Sequence, residues 1–166
     1  PQEILAQIEM YFSASSTKQD LVGKKVLITA GPTYEAIDPV RFIGNHSSGK
    51  MGFSLAKEAA QRGAEVFLIS GPSALELEHP HVKVVRVTSA KQMREAVFQV
   101  YDSVDIAIAS AAVADYAPKE AALEKIKKSA DSMVIELVKN PDILFEMGEK
   151  KKSQFLVGFA LETQNE

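Results

Sequence analysis

Short apolar runs alternate with stretches of helical periodicity along most of this chain, and this alternation constrains the fold more than any other feature. Four runs rich in β-branched residues are predicted as buried strands: residues 25–29 (KVLIT), 65–70 (EVFLIS), 82–88 (VKVVRVT) and 105–109 (DIAIA). Between them we predict two helices, over residues 51–62 and 90–101, with Gly63 ending the first and Ser89 capping the second. Strands that alternate with helices indicate an α/β fold, a doubly wound and mainly parallel, Rossmann-like sheet in three layers.

The last part of the chain is predicted to complete this sheet. Residues 132–137 (SMVIEL) are predicted as a fifth strand, residues 141–150 as a helix and residues 155–160 (FLVGFA) as a sixth strand. Because crossovers between parallel strands are right-handed, the carboxyl ends of the strands meet along one edge of the sheet. We therefore expect a ligand site among the loops that follow the strands.

The first 20 residues are predicted to stand apart from this pattern. Apolar residues in 3–12 (EILAQIEMYF) fall close to one helical face, and residues 13–20 (SASSTKQD) are typical of a polar linker. The predicted organisation is therefore a helix and linker over residues 1–20, followed by one domain over residues 21–166. Two interpretations of the helix remain open: a connection to something upstream, or a helix packed on this same domain.

Composition excludes several classes of function. Nineteen Lys and Arg residues against 22 Asp and Glu leave a net charge of −3, so nucleic acid is not expected as a partner. The absence of cysteine excludes disulfides, thiolate metal sites and cysteine nucleophiles. No apolar run approaches the roughly 18 residues of a membrane span, and no signal peptide is visible, so we expect a cytoplasmic protein without membrane contact.

The loop after the first strand lacks the signatures of two common nucleotide-binding folds. Gly31-Pro32-Thr33 stands where a dinucleotide site would show G-x-G-x-x-G, and the second strand ends Ile69-Ser70-Gly71 without the acid that binds ribose hydroxyls. Residues 44–50 (GNHSSGK) spell G-x-x-x-x-G-K, but Met51 stands where a P-loop has Ser or Thr, and the element lies far beyond the strand end. These departures argue against an ordinary dehydrogenase and exclude a P-loop NTPase.

Residues 47–52 nevertheless have the character of an anion site. Glycines let backbone amides approach an anion, and the amino end of the following helix favours negative charge. We therefore predict a phosphate or carboxylate at this loop. The alternative is that Ser47 and Ser48 only cap the helix, while Gly49 and Gly52 permit close packing.

Several motifs together resemble one enzyme family. Residues 28–52 (ITAGPTYEAIDPVRFIGNHSSGKMG) are similar to the signature of phosphopantothenate–cysteine ligases, also called phosphopantothenoylcysteine synthetases. Four more family motifs follow in order: residues 110–116 (SAAVADY), 124–128 (EKIKK), 138–144 (VKNPDIL) and 157–163 (VGFALET). The resemblance covers residues 21–166 and implies a nucleotide-binding ligase domain.

The resemblance implies a reaction of coenzyme A biosynthesis. Bacterial members join 4′-phosphopantothenate to L-cysteine with CTP and Mg²⁺. The carboxylate attacks the α-phosphate to give an acyl-cytidylate and pyrophosphate, and the amine of cysteine then displaces CMP to form the amide. The alternative is a Rossmann-like nucleotide- or NADP-binding module without ligase activity, which the missing glycine motif and the missing acid disfavour.

The family motifs imply roles for two catalytic residues. Asn45 matches an asparagine that contacts the activated acyl group, where a neutral donor suits a carbonyl oxygen. Lys125 matches the family's nucleotide lysine, with Lys127 and Lys128 beside it, and would offset charge that builds on the α-phosphate. The alternatives are a loop-forming asparagine beside a glycine and a solvated, positively charged turn.

The remaining implied residues surround the nucleotide. Ser47, Ser48 and Gly49 match positions that hold phosphate groups, and Ala111 matches a nucleotide contact. The implied role of Asp115 is to bind ribose hydroxyls or to place Mg²⁺, with a helix N-cap as the alternative. Four consecutive residues match a backbone-rich wall around the base: Pro141, Asp142, Ile143 and Leu144. Phe159 matches a position near the nucleotide, against the alternative of a core aromatic on a strand.

The family pattern also extends beyond this sequence. Members continue after the GFALET motif with a segment that carries further lysines, so we expect the domain to lack its C-terminal segment here. Members are homodimers, and in many bacteria the ligase follows a flavin-dependent decarboxylase on the same chain. The resemblance therefore implies a homodimer when the domain is complete, fused to or associated with such a decarboxylase.

Overall fold

A five-stranded parallel sheet organises the chain in the computed structural model, which describes Ile4, residues 18–127 and residues 132–161. The predicted N-terminal helix lies outside the described residues except for Ile4, and so does Lys128. In chain order the strands are β1 (Lys25–Ala30), β2 (Tyr34–Ala36), β3 (Phe42–Gly44), β4 (Glu65–Ser70), β5 (Val82–Arg86), β6 (Ile106–Ala109), β7 (Tyr116–Pro118), β8 (Leu137–Lys139) and β9 (Phe155–Gly158). The helices are α1 (Lys50–Gln61), α2 (Ala90–Val100) and α3 (Ile143–Lys150), with a 3₁₀ turn over Tyr101–Ser103.

The strand order of the large sheet is β5-β4-β1-β6-β9, and every neighbouring pair is parallel. From β1 the chain first adds strands on one side and then, with β6, turns to the other side. The order therefore reverses between β1 and β6, which is where open α/β sheets form a ligand crevice at the carboxyl ends of the strands.

Helices cover both faces of the sheet, so the predicted three-layer, Rossmann-like architecture is confirmed. Successive residues of β1 point to opposite faces. Ile28 packs in the cluster that includes Ala56 of α1, and Leu27 packs in the cluster that includes Met93 of α2 and Met147 of α3. All five side chains belong to fully or almost fully buried residues.

The start of α2 confirms a prediction made from the sequence. The Ser89 side chain accepts a hydrogen bond from the Gln92 N–H at 3.3 Å, while the Gln92 side chain accepts from the N–H of Ser89 at 3.4 Å. This reciprocal pair is a capping box, which satisfies amides that the first turn leaves without helical partners. The helix ends at Val100, one residue before the predicted end.

The prediction of a sheet strand over residues 132–137 is wrong. The strand in this region is β8, which pairs antiparallel with β7 in a separate two-stranded ribbon. The large sheet has no place for another strand between β6 and β9, because these two pair directly, Ile106 opposite Phe155. The apolar residues of this run do not pack into the core either, since Val134 is 94% exposed. An apolar run predicts a buried strand only where another layer covers it.

A second ribbon lies inside the stretch after β1 that the sequence indicated only as irregular. β2 and β3 pair antiparallel, Tyr34 opposite Gly44, and the rings of Tyr34 and Phe42 stack at 3.8 Å between centroids. Strands of three residues are too short to show a clear period of two, so the sequence pattern did not reveal them.

None of the helices in the described part of the chain combines the length and the apolar character that a bilayer span requires.

Candidate functional site

A cavity of about 260 Å³ opens at the carboxyl edge of the sheet, at the point where the strand order reverses. Thr29 of β1 and Ala109 of β6 lie at its base, Phe159 follows β9, and the start of α3 forms one wall. Ligands bind at this position in open α/β sheets because the loops diverge here and leave a crevice.

Seven of the residues predicted from the sequence line this cavity. They come from three separate segments of the chain: Ala111, Asp115, Pro141, Asp142, Ile143, Leu144 and Phe159. The cavity is also lined by Lys139 and Asn140, two residues of the 138–144 motif for which no role was predicted. The available signal was the family motif over residues 138–144, which includes both residues.

The loop after β6 is pinned by buried threonines. The Thr29 hydroxyl accepts hydrogen bonds from the N–H groups of Ser110 and Ala111, both at 3.2 Å. Further along, the Thr33 hydroxyl accepts from the Ala114 N–H at 3.0 Å. Both threonines are buried, so these hydrogen bonds fix the backbone conformation of the loop beside the cavity.

Asp115 lies at the rim of the cavity with an exposed side chain. No helix begins after it, since β7 follows, so the N-cap alternative is wrong for this residue. Within the described residues its carboxylate makes no hydrogen bond or ion pair, whereas the Asp142 carboxylate caps α3 by accepting from the Phe145 N–H at 2.9 Å. Of these two acids, Asp115 is therefore the one available to a ligand.

Phe159 is 51% exposed and lines the cavity just beyond the end of β9. The alternative of a core aromatic is therefore wrong. Its N–H donates to the Ala109 carbonyl at 3.0 Å, which continues the β6–β9 pairing and presents the ring beside the cavity.

The loop before α1 packs tightly against the sheet edge. Gly49 is the N-cap, in a left-handed conformation with φ of 78°, and a Cβ there would lie 3.2 Å from the Gly31 nitrogen. A Cβ at Gly52 would lie 2.5 Å from the Ala30 Cβ and 2.9 Å from the Ser110 Oγ. The packing role of these two glycines is confirmed, and it brings the amino end of α1 against Ser110, next to the cavity residue Ala111.

The amides at this helix start have only long internal hydrogen bonds. The Gly49 N–H donates to the Ser47 hydroxyl at 3.3 Å, and the Lys50 N–H donates to the Ser48 hydroxyl at 3.4 Å. Gly49 rather than a serine is the N-cap residue, but both serine hydroxyls accept from amides at the helix start, as the capping alternative expected. Bonds of this length are weak, so an anion could replace them at little cost.

Asn45 directly follows β3. Its side-chain amide donates to the Val113 carbonyl at 3.1 Å, and Val113 lines the cavity. Asn45 itself is exposed. The second N–H of an amide remains available to a ligand when the first is bound to a carbonyl.

Lys125 and Lys127 are exposed and do not line the cavity. The residue between them, Ile126, is tied to the β2–β3 turn: its N–H donates to the Asp38 carboxylate at 3.1 Å, and its carbonyl accepts from Arg41 at 3.0 Å. The structure therefore anchors this lysine segment but does not bring it together with the other predicted residues.

Asp38 is the centre of that anchor. Its buried carboxylate accepts from the Arg41 guanidinium at Nε (2.9 Å) and Nη2, and from the N–H groups of Val40 and Arg41, both at 2.8 Å. The hydrogen bonds from the guanidinium, with those from the Val40, Ile126 and Arg41 amides, hold the pKa of Asp38 well below its usual range.

The acidic side chains at the cavity fit Mg²⁺ only as part of a site that substrate phosphates and water complete. Among the described residues no group of three or more acidic or histidine side chains could hold a metal ion. Mg²⁺ is commonly held by one or two carboxylates together with substrate phosphates and water. The free carboxylate of Asp115 is consistent with that mode.

Comparison with known proteins assigns the chain to one family. The family model described as "DNA/pantothenate metabolism flavoprotein C-terminal domain" matches residues 21–166. The coenzyme A biosynthesis bifunctional protein CoaBC of Bacillus subtilis is 53% identical over 165 residues, which cover 99% of this chain and 40% of that protein. The chain thus spans less than half the length of this curated relative.

Two solved structures show the same fold. The crystal structure of the C-terminal domain of a CoaBC protein is 53% identical, with a TM-score of 0.76 over 87% of this chain and 68% of that one. A Cab2 mutant in complex with phosphopantothenate-cysteine has a TM-score of 0.71 over 95% of this chain and 68% of that one. At 19% identity this second likeness concerns the fold alone.

Proposed function

Because the chain belongs to the DNA/pantothenate metabolism flavoprotein C-terminal domain family, we propose that it is a ligase domain that couples 4′-phosphopantothenate to L-cysteine in coenzyme A biosynthesis. The observation that carries this proposal is the convergence of seven motif residues from three segments around one cavity. A structural role alone would not require the ends of these motifs to meet at the ligand edge of the sheet.

In this proposal the cavity holds CTP. The backbone of residues 141–144 faces the base, Phe159 lies beside the nucleoside, and Asp115 binds the ribose or would hold a Mg²⁺ ion, which would offset the charge of the triphosphate. The phosphates extend toward the start of α1. There the Gly49 and Lys50 amides exchange their long hydrogen bonds to serine hydroxyls for bonds to phosphate oxygens.

The proposed chemistry is an activation followed by an aminolysis. The carboxylate of phosphopantothenate attacks the α-phosphate, which forms the acyl-cytidylate and releases pyrophosphate. The amine of cysteine then attacks the acyl carbon, CMP leaves, and the amine loses a proton. Asn45 donates its free N–H to the acyl oxygen. Lys125 does not line the cavity, and its proposed role, to offset the charge on the α-phosphate, rests on the family motif alone.

Two partners are part of the proposal. A flavin-dependent decarboxylase domain on the same chain is supported by the family description, which names the C-terminal domain of a flavoprotein, and by the relative that is described as bifunctional. A homodimer is supported by the exposed apolar side chains of the two ribbons, among them Val40, Phe42 and Leu137.

The reaction can be tested directly with full-length protein, phosphopantothenate and cysteine. Mass spectrometry should detect phosphopantothenoylcysteine and CMP when CTP is supplied, and less product with ATP. Thermal stabilisation by NADP but not by CTP, without product, would instead support the binding-module alternative.

The role of Lys125 can be tested by pyrophosphate release. Lys125→Gln should slow release about a hundredfold, because charge at the α-phosphate is no longer offset. Lys91→Gln, at an exposed lysine in the first turn of α2, is the matched control. Equal rates for the two variants would remove Lys125 from the mechanism.

A further inference from the structure

Asn140 links two walls of the cavity. It directly follows β8, where Lys139 pairs with Tyr116 of β7. Its backbone N–H donates to the Asp115 carbonyl at 2.8 Å, which extends the antiparallel ladder by one step. Its side-chain amide makes a second bond, to the Ala114 carbonyl at 2.8 Å, which the ladder does not require.

The loop that receives these bonds is residues 113–115, which carries Asp115. Its three successive carbonyls are all occupied: that of Val113 by the Asn45 side chain at 3.1 Å, and those of Ala114 and Asp115 by Asn140. The loop is therefore held by Asn45, which follows the β2–β3 ribbon, and by Asn140, which precedes α3. Ala114 is buried, so a carbonyl left without its donor there would be poorly solvated.

We propose that Asn140 is a positioning residue for the nucleotide: its side-chain amide fixes the distance between the Asp115 loop and the wall formed by residues 141–144. This role rests on the proposed function, because it assumes that both walls contact one ligand. A loop that is already ordered loses less conformational freedom when the ligand binds, so the bond from Asn140 to the Ala114 carbonyl strengthens binding through the loop that it orders.

The chemistry of the side chain makes the role specific. The backbone bond to Asp115 persists in every variant other than proline, so Asn140→Ala removes only the bond to Ala114. Asn140→Asp replaces the donor with a carboxylate oxygen that faces the Ala114 carbonyl and repels it. The aspartate variant should therefore bind nucleotide no better than the alanine variant.

The test measures the KM for CTP, the Kd of CTP and the KM for phosphopantothenate separately, in full-length protein. Asn140→Ala should raise the KM for CTP and the Kd of CTP roughly tenfold, as expected for the loss of one buried hydrogen bond. The KM for phosphopantothenate should stay within about twofold of the parent value, which a general loss of structure would not allow. Assays are run well below the melting temperature of each variant.

Lys119→Ala is the matched control at the other end of the same ribbon. It removes the exposed ion pair with Glu136 at 2.9 Å and leaves the cavity intact, so the KM for CTP should not change. An unchanged KM for CTP in Asn140→Ala, or an equal rise in Lys119→Ala, would overturn the positioning role. A parent protein that forms no product and binds neither CTP nor ATP would overturn the proposed function, and this role with it.

Discussion

The large sheet and the two ribbons at its carboxyl edge are stabilised in opposite ways. In β1 five of six residues are buried, and Leu27 and Ile28 are completely inaccessible. In β8 all three residues are exposed, and no strand of either ribbon is longer than three residues. The sheet is held by apolar burial, whereas a two-stranded ribbon of this size is at best marginally stable alone.

Polar side chains compensate for the small size of the ribbons. Asp38 and Arg41 fix the β2–β3 turn, and Asn140 fixes the end of the β7–β8 ribbon. The candidate ligand loops therefore depend on a few hydrogen bonds, whereas the sheet beneath them is held by its buried apolar side chains. Regions of this kind unfold locally at a lower free energy than the core does. Ligand-binding loops are usually found in such regions.

The largest expected effect comes from the scaffold. Gly71 follows β4, and a Cβ at this position would overlap the carbonyl oxygen of Pro32, a backbone atom next to the Gly31 turn. Gly71→Ala should lower the free energy of unfolding by more than about 3 kcal/mol, because the two turns must separate. Urea denaturation measures this loss, and a loss under about 1 kcal/mol would contradict the packing argument.

A smaller and more local effect is expected in the β2–β3 ribbon. Asp38→Asn removes the charge that accepts from Arg41 and from the Ile126 N–H. Hydrogen exchange at Ile126 should accelerate, while amides of β1 and β4 keep their protection. Asp102→Asn, at an exposed residue paired with Lys152 at 3.1 Å, is the matched control. Faster exchange throughout the sheet would show that the ribbon is not an independent unit.

The same carboxylate predicts a pH dependence with a defined sign. The Arg41 guanidinium and the surrounding amides lower the pKa of Asp38 in the folded protein. Its stabilising contribution is therefore complete above the unfolded value of about 4 and is lost as the pH falls from there toward the folded value. The difference in melting temperature between the parent and Asp38→Asn should shrink in that range. A constant difference down to about pH 3 would contradict the assignment.

The smallest expected effect is a gain. Gly148 lies inside α3, and a Cβ there would meet no atom within 4 Å. Gly148→Ala should raise the free energy of unfolding by about 0.5–1 kcal/mol, because alanine restricts the unfolded chain and favours the helix. Urea denaturation in parallel with Gly71→Ala tests the contrast. A loss of stability would show that α3 is packed more tightly than its open side indicates.

Sequence patterns predicted the scaffold well. The strand over residues 65–70 has its predicted bounds, β1 is one residue longer than predicted, and Ser89 caps α2 as expected. These features are local, since they depend on apolar periodicity and on side chains that bond to amides three residues away. The failure over residues 132–137 has the opposite cause, because only the rest of the sheet determines whether a further strand has a neighbour.

The candidate site was predicted as separate motifs rather than as an arrangement. The resemblance indicated Asp115, the wall over residues 141–144 and Phe159, and the structure brings them around one cavity. In the structure Lys125 lies outside that cavity, and Asn140, which had no predicted role, lines it. The roles of these residues stay predictions until the substrates are tested.

The sequence by itself determined the class of fold, the family and the segments that carry polar and glycine-rich motifs. Each of these depends on short patterns of residues that are close together in the chain. Only the tertiary structure decided which of these segments meet. The bonds that join them connect residues far apart in the chain, Asn140 with Ala114 and Asn45 with Val113, 26 and 68 positions away. Such contacts depend on how the sheet places the loop ends, and no local propensity encodes that placement.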